Sequence, residues 1–448
     1  MRTHFIKFEE DKNIIYFPET KRFFKANDKA VSLAKSISDN KDLNQILKDL
    51  NITEDEYNYY FQKFSEYSKL PEQYYNMDII EHKESKKFLG RLVIHVTNYC
   101  DLKCKYCYAN GGNYFSEEKD IDLDTIDKTL SVFYSEFDEI GFIQFFGGEP
   151  LLNLDAIEYV CKSVRNLNKN HERATSFGLV TNGVNINERF INLVKEYNIM
   201  VTVSYDGNPK INNTLRINSA GVGVTDIILK NSKLLKQETE QPHTIEVTYT
   251  KTHIDNGVSI QDVVRHIAKE LPNTYIHLVP VGGSSESPYV ISDMSVFADS
   301  VDEIFESYNK NNGFTYSLAE RIFNALSNPM PTSRYICDAG VGTISVSVKG
   351  DVYPCFMFTD MEGLKLGNVY EDNLFTNSKF DKMIKKIQNF SDKSENKNCK
   401  ECFINTSCSG CLGTNNYGSD NLFFLNNDIC NMHRNMMERT LINLAYKI

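Results

Sequence analysis

Cys100, Cys104 and Cys107 fall within eight positions of the stretch "TNYCDLKCKYCYANGG", and no fourth cysteine follows in that loop. Thiols this close together point to metal chemistry. A structural zinc site calls for four ligands, usually as two close pairs. Three thiolates on one tight loop suit instead a [4Fe–4S] cluster in which one iron has no protein ligand and is free to take a small molecule.

Seven more cysteines, Cys337, Cys355, Cys399, Cys402, Cys408, Cys411 and Cys430, crowd the C-terminal part of the chain. A reducing compartment keeps so many thiols from pairing, so metal ligation is the better reading. A pair of zinc ribbons would draw on the same residue types as iron–sulfur clusters. Cys161 stands alone in "AIEYVCKSV", where apolar residues recur every third or fourth position, and reads as a buried helix residue.

These residues need elements to hold them. From about 90 to 310, the β-type runs "RLVIHVT", "FIQFF", "TSFGLVT", "MVTVSYD", "HTIEVTYT" and "TYIHLVPV" alternate with helical stretches. That alternation predicts parallel strands with crossover helices in an open or closed β/α barrel, with chemistry at the C-terminal ends of the strands. The first cysteine trio follows "RLVIHVT" directly. The second strand runs into "GGEP", where Gly147 and Gly148 allow a close approach of the backbone and Glu149 follows. Farther on, "VSYDGNPKINNTLR" carries Ser204, Asp206 and Arg216, whose guanidinium could grip a carboxylate or form a surface salt bridge.

Residues 1–70 read as a smaller unit of strands and three short helices, the last opening with a Thr53/Glu56 capping box. A hairpin followed by three helices suggests a winged helix, either a structural appendage or a peptide-docking domain whose sheet edge accepts another strand. Expected boundaries are 1–70 for this unit, 71–89 for a linker, 90–310 for the barrel, 311–335 for a bridging region and 336–448 for the cysteine-rich part.

The net charge of −11 argues against a general nucleic-acid binder, because neutralising phosphates needs a basic face. No apolar run is long enough for a membrane span and no signal peptide is visible, so a cytoplasmic protein acting on a small molecule or peptide is expected. No acid/base dyad and no Ser/His/Asp set stands out.

The CxxxCxxC spacing, with Tyr106 before the last cysteine and GGEP after the next strand, resembles the radical S-adenosylmethionine (SAM) superfamily. There the open iron chelates SAM, whose reductive cleavage yields a 5′-deoxyadenosyl radical. The resemblance implies that Cys100, Cys104 and Cys107 carry the catalytic cluster and that Gly147, Gly148 and Glu149 bind the SAM amino group. It makes Tyr106, Ser204, Asp206 and Arg216 further SAM contacts and lets Leu278 pack the adenine.

The C-terminal pattern is a cysteine, Gly350 five places before the second, a cluster of four and a last one. It resembles the SPASM extension of radical SAM peptide maturases, except that two residues separate Cys408 from Cys411 where the family usually has three. The resemblance implies a second auxiliary cluster on Cys399, Cys402, Cys408 and Cys430, and a first on Cys337, Cys355 and Cys411. With the catalytic one, that makes three [4Fe–4S] clusters. Relatives with a complete first auxiliary cluster have another cysteine just before the Cys337 position, but "SNPMPTSRYI" has none. That cluster should therefore also have an open iron, and a substrate thiolate is its expected ligand.

Sulfatase maturases share this layout but place an Asp base after the second SPASM cysteine, where this chain has Phe356. The whole chain more closely resembles the thioether-forming maturases of ribosomal peptides, the six-cysteine and ranthipeptide group. That implies an α/β protein with a partial (β/α)6 TIM-like barrel, an N-terminal winged-helix recognition domain and a C-terminal SPASM domain. Its expected activity is oxidative thioether crosslinking of a precursor peptide, with flavodoxin or ferredoxin as electron donor and neither nucleic acid nor membrane as partner. The alternatives are C–C crosslinking, epimerisation or a sulfatase-maturase-like oxidation.

Overall fold

The computed structural model describes residues 2–69, 87–168, 174–284, 286–310, 313–416 and 423–447. Of the linker expected over 71–89, residues 71–86 lie outside the described residues.

Strands β1 (His4–Glu9), β2 (Lys12–Phe17) and β3 (Arg22–Ala26) form an antiparallel sheet in that order, so "RFFKA" adds a third strand to the expected hairpin. Helices α1 (Asp28–Ser38), α2 (Leu43–Leu50) and α3 (Glu54–Ser68) follow. Side chains of Asn27, Asp42 and Thr53 accept first-turn N–H groups, which fixes where each helix starts. Successive β2 residues face opposite ways. Ile15 and Phe17 pack with Leu33, Ala34 and Phe64 of this unit, whereas Ile14 and Tyr16 join the core of the rest of the protein.

The main sheet has nine strands. Its body is β4 (Phe88–Thr97), β5 (Glu139–Gly147), β6 (Ser176–Thr181), β7 (Met200–Ser204), β8 (Thr244–Tyr249) and β9 (Tyr275–Pro280), all parallel and in sequence order. Helices α4 (Leu123–Glu136), α5 (Leu154–Leu167), α6 (Glu188–Tyr197), α7 (Thr225–Thr239) and α8 (Ile260–Glu270) lie in the crossovers. Right-handed crossovers taken in order put every helix on one face and leave the other concave. The fold is the partial (β/α)6 TIM-like barrel that the family resemblance implies, one form of the open or closed β/α barrel that the alternating runs predict.

Register makes the two faces explicit. Ile94, Phe145, Leu179, Val201, Val203, Ile245, Val247 and Leu278 are fully buried on the helix side. On the concave side His95 pairs with Phe146, and Ser204, Glu246 and His277 stand level on three adjacent strands.

The C-terminal part extends this sheet, which the sequence pattern does not anticipate. Strand β10 (Thr343–Val346) runs parallel to β4 on its free side, and β11 (Asp351–Tyr353) and β12 (Gly367–Asn368) add antiparallel. Helices α9 (Ser295–Asn309) and α10 (Ser317–Ser327) precede β10, and α11 (Ser378–Ser391) and α12 (Asn427–Tyr446) follow β12. The N-terminal unit is docked onto this part. The His4 ring stacks on Phe403 at 3.6 Å, Arg2 donates to the Lys400 carbonyl at 2.9 Å, and Thr406 donates to the Pro18 carbonyl at 2.5 Å. Among the described residues no helix is long and apolar enough to cross a membrane.

Candidate active site

The loop bearing Cys100, Cys104 and Cys107 leaves the C-terminal end of β4 and is gripped from both sides. On one side, Gly148 and Glu149 donate backbone N–H groups to the Thr97 and Tyr99 carbonyls at 2.9 and 2.8 Å. A Cβ on Gly147 would lie 2.1 Å from the Thr97 oxygen, and one on Gly148 would lie 2.2 Å from the Tyr99 oxygen. The two glycines are therefore required by chain-to-chain contact. On the other side, Lys103 and Lys105 donate to the Ile217 and Leu215 carbonyls at 2.7 and 2.9 Å, so the loop also holds the segment carrying Arg216.

The Asp206 carboxylate collects most of the polar groups at the barrel mouth. It accepts from Arg216 Nε at 3.0 Å and Nη2 at 3.1 Å, from the Tyr106 hydroxyl at 2.7 Å and from the Thr248 N–H at 3.1 Å. The Arg216 guanidinium also lies over the Tyr106 ring at 5.5 Å. Asp206 thus orients Arg216 from inside the protein. Arg216 keeps Nη1 without an acceptor among the described residues.

The Glu149 carboxylate is turned inward, 1% exposed, and accepts from Thr181 Oγ1 and from the Asn182 and Leu151 N–H groups, tying the end of β5 to that of β6. Leu278 lies on the helix-facing side with Val247 and is fully buried in the core, so its side chain does not line the concave face. Ser204 does, as the last residue of β7.

The structure gathers ten cysteines into three groups and leaves Cys161 buried in α5. Cys100, Cys104 and Cys107 neighbour one another. Cys337, Cys355 and Cys411 form a second group, and Cys399, Cys402, Cys408 and Cys430 a third. Burial pushes the Cys104, Cys337 and Cys408 thiols up to about 11 and those of Cys355 and Cys399 to about 12. Ionising them requires a strongly cationic partner, which iron supplies. Backbone N–H groups of Ala339 and Leu412 point at Cys337, that of Met357 at Cys355 and that of Gly410 at Cys408. Arg434 Nε lies 3.5 Å from Cys402 Sγ. Among the described residues no three metal-binding side chains are close enough to share a single ion.

An aromatic cluster joins the first cysteine loop to the second group. Phe356, next to Cys355, packs on Phe146 at 4.6 Å; His95 lies edge-on to Phe146 and to Tyr114, and Tyr114 to Tyr108. Tyr108 lies within electrostatic reach of Cys107, Cys355 and Glu246. Sequence reasoning overlooked Tyr108, His95 and Glu246. Glu246 had a signal, a lone carboxylate at a polar position of the alternating "TIEVTY".

Residues 94–270 match the Radical SAM superfamily and residues 337–403 the SPASM iron-sulfur cluster-binding domain. An uncharacterised protein of Methanocaldococcus jannaschii is 38% identical over 149 residues, 33% of this chain and 49% of its own length, so the chain spans about half of that relative. The radical SAM cyclopropyl synthase TigE of Paramaledivibacter caminithermalis is 24% identical over 81% of this chain and 76% of its own. Among solved structures, anSMEcpe with bound AdoMet superimposes with a TM-score of 0.66 at 19% identity, over 80% of this chain and 100% of that one. Streptococcus suis SuiB bound to S-adenosylmethionine gives 0.52 at 17%, over 94% and 98%. The chain carries a radical SAM domain followed by a SPASM domain.

Proposed function

We propose that this radical SAM and SPASM protein installs thioether crosslinks in a ribosomally made precursor peptide. Cys100, Cys104 and Cys107 would hold the cluster that binds SAM, Cys337, Cys355 and Cys411 the first auxiliary cluster, and the remaining four the second. When bound, these groups supply one-electron reduction and a 5′-deoxyadenosyl radical able to take hydrogen from an unactivated carbon.

The protein's own share is placement. Arg216, oriented by Asp206, offers Nη1 to a ligand carboxylate, while Ser204 and the GGEP backbone border the same space. The aromatic cluster from Tyr108 to Phe356 would limit water between the first and second cysteine groups. The observation that carries thioether formation is the second group itself, with three cysteines and no fourth left in the chain except the distant, buried Cys161. A precursor cysteine completes such a set. Phe356 at the sulfatase-maturase base position argues against that oxidation. The N-terminal sheet offers edge strands on which a leader segment could add as a further strand, raising the local concentration of the attached core peptide. We place the enzyme in the cytoplasm, with a flavodoxin or ferredoxin as electron donor.

Carbon–carbon bond formation is the second reading, favoured by the likeness to a cyclopropyl synthase. Anaerobic turnover followed by mass spectrometry separates the two. A thioether removes two hydrogens and one alkylatable thiol per link; a carbon–carbon bond spares the thiols. Reconstituted protein should hold about twelve irons per chain, three cubanes of four.

A further inference from the structure

Glu246 places a carboxylate on the concave side at the barrel mouth, level with Ser204 on β7 and His277 on β9. It is half-buried, and no described residue donates a hydrogen bond to its carboxylate. Nearby ionisable groups are accounted for. Asp206 and Arg216 hold each other, Tyr106 donates to Asp206, and burial keeps His277 neutral, pushed down to about 4. Glu149 faces the interior, and the position after Cys355 is an aromatic ring packed on Phe146. Tyr108 lies within electrostatic reach of both Glu246 and Cys355 and packs edge-on to Tyr114.

A thiol must lose its proton before it serves as a metal ligand or forms a carbon–sulfur bond. We propose that Glu246 is the general base that takes this proton from the precursor cysteine, an inference that rests on the thioether reading above. The step is heterolytic: the S–H bond breaks, sulfur keeps the electron pair, and the proton ends on a Glu246 carboxylate oxygen. No electron leaves the pair. The groups near Glu246 are Ser204 and Asp206 from β7 and its exit, Thr248 from its own strand, His277 from β9, Tyr108 from the cysteine loop, and Arg216. Burial raises the Glu246 carboxyl above its ordinary range, which brings its basicity nearer that of a thiolate.

The test compares wild type and Glu246→Gln holoenzyme with a precursor peptide, measuring crosslinked product per 5′-deoxyadenosine formed. The ratio should fall about 100-fold or more, within the usual range for loss of a general base. A precursor with selenocysteine in place of the reacting cysteine should restore it, because a selenol is already ionised at neutral pH. Adding peptide to wild type without SAM should bring up a protonated-carboxyl infrared band that Glu246→Gln lacks. Glu246→Asp, with a shorter reach, should give an intermediate ratio and serves if the amide variant does not fold. A wild-type ratio in Glu246→Gln, a parallel loss of 5′-deoxyadenosine at constant ratio, no selenocysteine rescue, or an infrared band that persists in the variant would each overturn the assignment of Glu246 alone. A wild-type enzyme that consumes no thiol would overturn the thioether reading, and this inference with it.

Discussion

The Tyr106 hydroxyl lies 2.7 Å from Asp206 Oδ2, so a residue between two cysteines of the first loop is tied to the carboxylate that clamps Arg216. Loop and barrel mouth are one polar unit, and each part orients the others. Asp206→Asn leaves a buried guanidinium without its counter-charge and should destabilise the protein by about 3–5 kcal/mol. Tyr106→Phe removes a single hydrogen bond to a charged group and should cost about 1.5–3 kcal/mol. Urea unfolding of both variants checks the order.

Gly148→Ala tests whether the glycine pair serves chain packing. The added methyl would meet the Tyr99 carbonyl at 2.2 Å and force the cysteine loop off the end of β5. Reconstituted Gly148→Ala should lose about four irons, one cubane, together with SAM cleavage, and keep the signals of the C-terminal clusters. Electron paramagnetic resonance alongside iron analysis reads both.

Acid should weaken the fold through His95. This histidine is fully buried against Tyr114 and Phe146, with Nε2 at 3.0 Å from Thr359 Oγ1, and burial pushes its imidazole down to about 3. The unfolded chain takes up that proton near pH 6.5, roughly the free value, and the native chain does not. The stabilising difference is complete above this pH and shrinks on acidification toward about 3, by about 1.4 kcal/mol per pH unit. His95→Gln should remove one proton's worth of slope from urea stability measured over this interval.

Truncating the N-terminal unit should damage more than peptide docking. Ile14 and Tyr16 of β2 belong to the main core, and Arg2, His4 and Pro18 contact Lys400, Phe403 and Thr406 beside the third cysteine group. Removing residues 1–68 is expected to give protein with less than its full iron and exposed apolar surface. Iron analysis and binding of a hydrophobic dye report this, whereas a full-iron, dye-negative product would show the unit to be separable.

Local pattern reveals some of this architecture and long-range packing supplies the rest. The alternating runs from "RLVIHVT" to "TYIHLVPV" announce parallel strands because a strand's period of two and a crossover helix's period of 3.6 are written into neighbouring residues. Cys100, Cys104 and Cys107 were legible for the same reason, being close in sequence and rare in type. Which face of β9 Leu278 occupies depends on register with β8, and that is set by strands far apart in the chain. Glu149 looks like a ligand residue in "GGEP", yet the Thr181 hydroxyl and Asn182 N–H that turn it inward come from the next strand. The joining of β10 to β4 and the docking of His4 on Phe403 likewise depend on surfaces formed by distant segments. The sequence by itself determined the donor atoms and the elements that present them. Tertiary structure decided which side chains hold one another, Asp206 with Arg216 above all, and which, like Glu246, carry a carboxylate with no donor among the described residues, because burial and partnership arise only when separate strands are brought side by side.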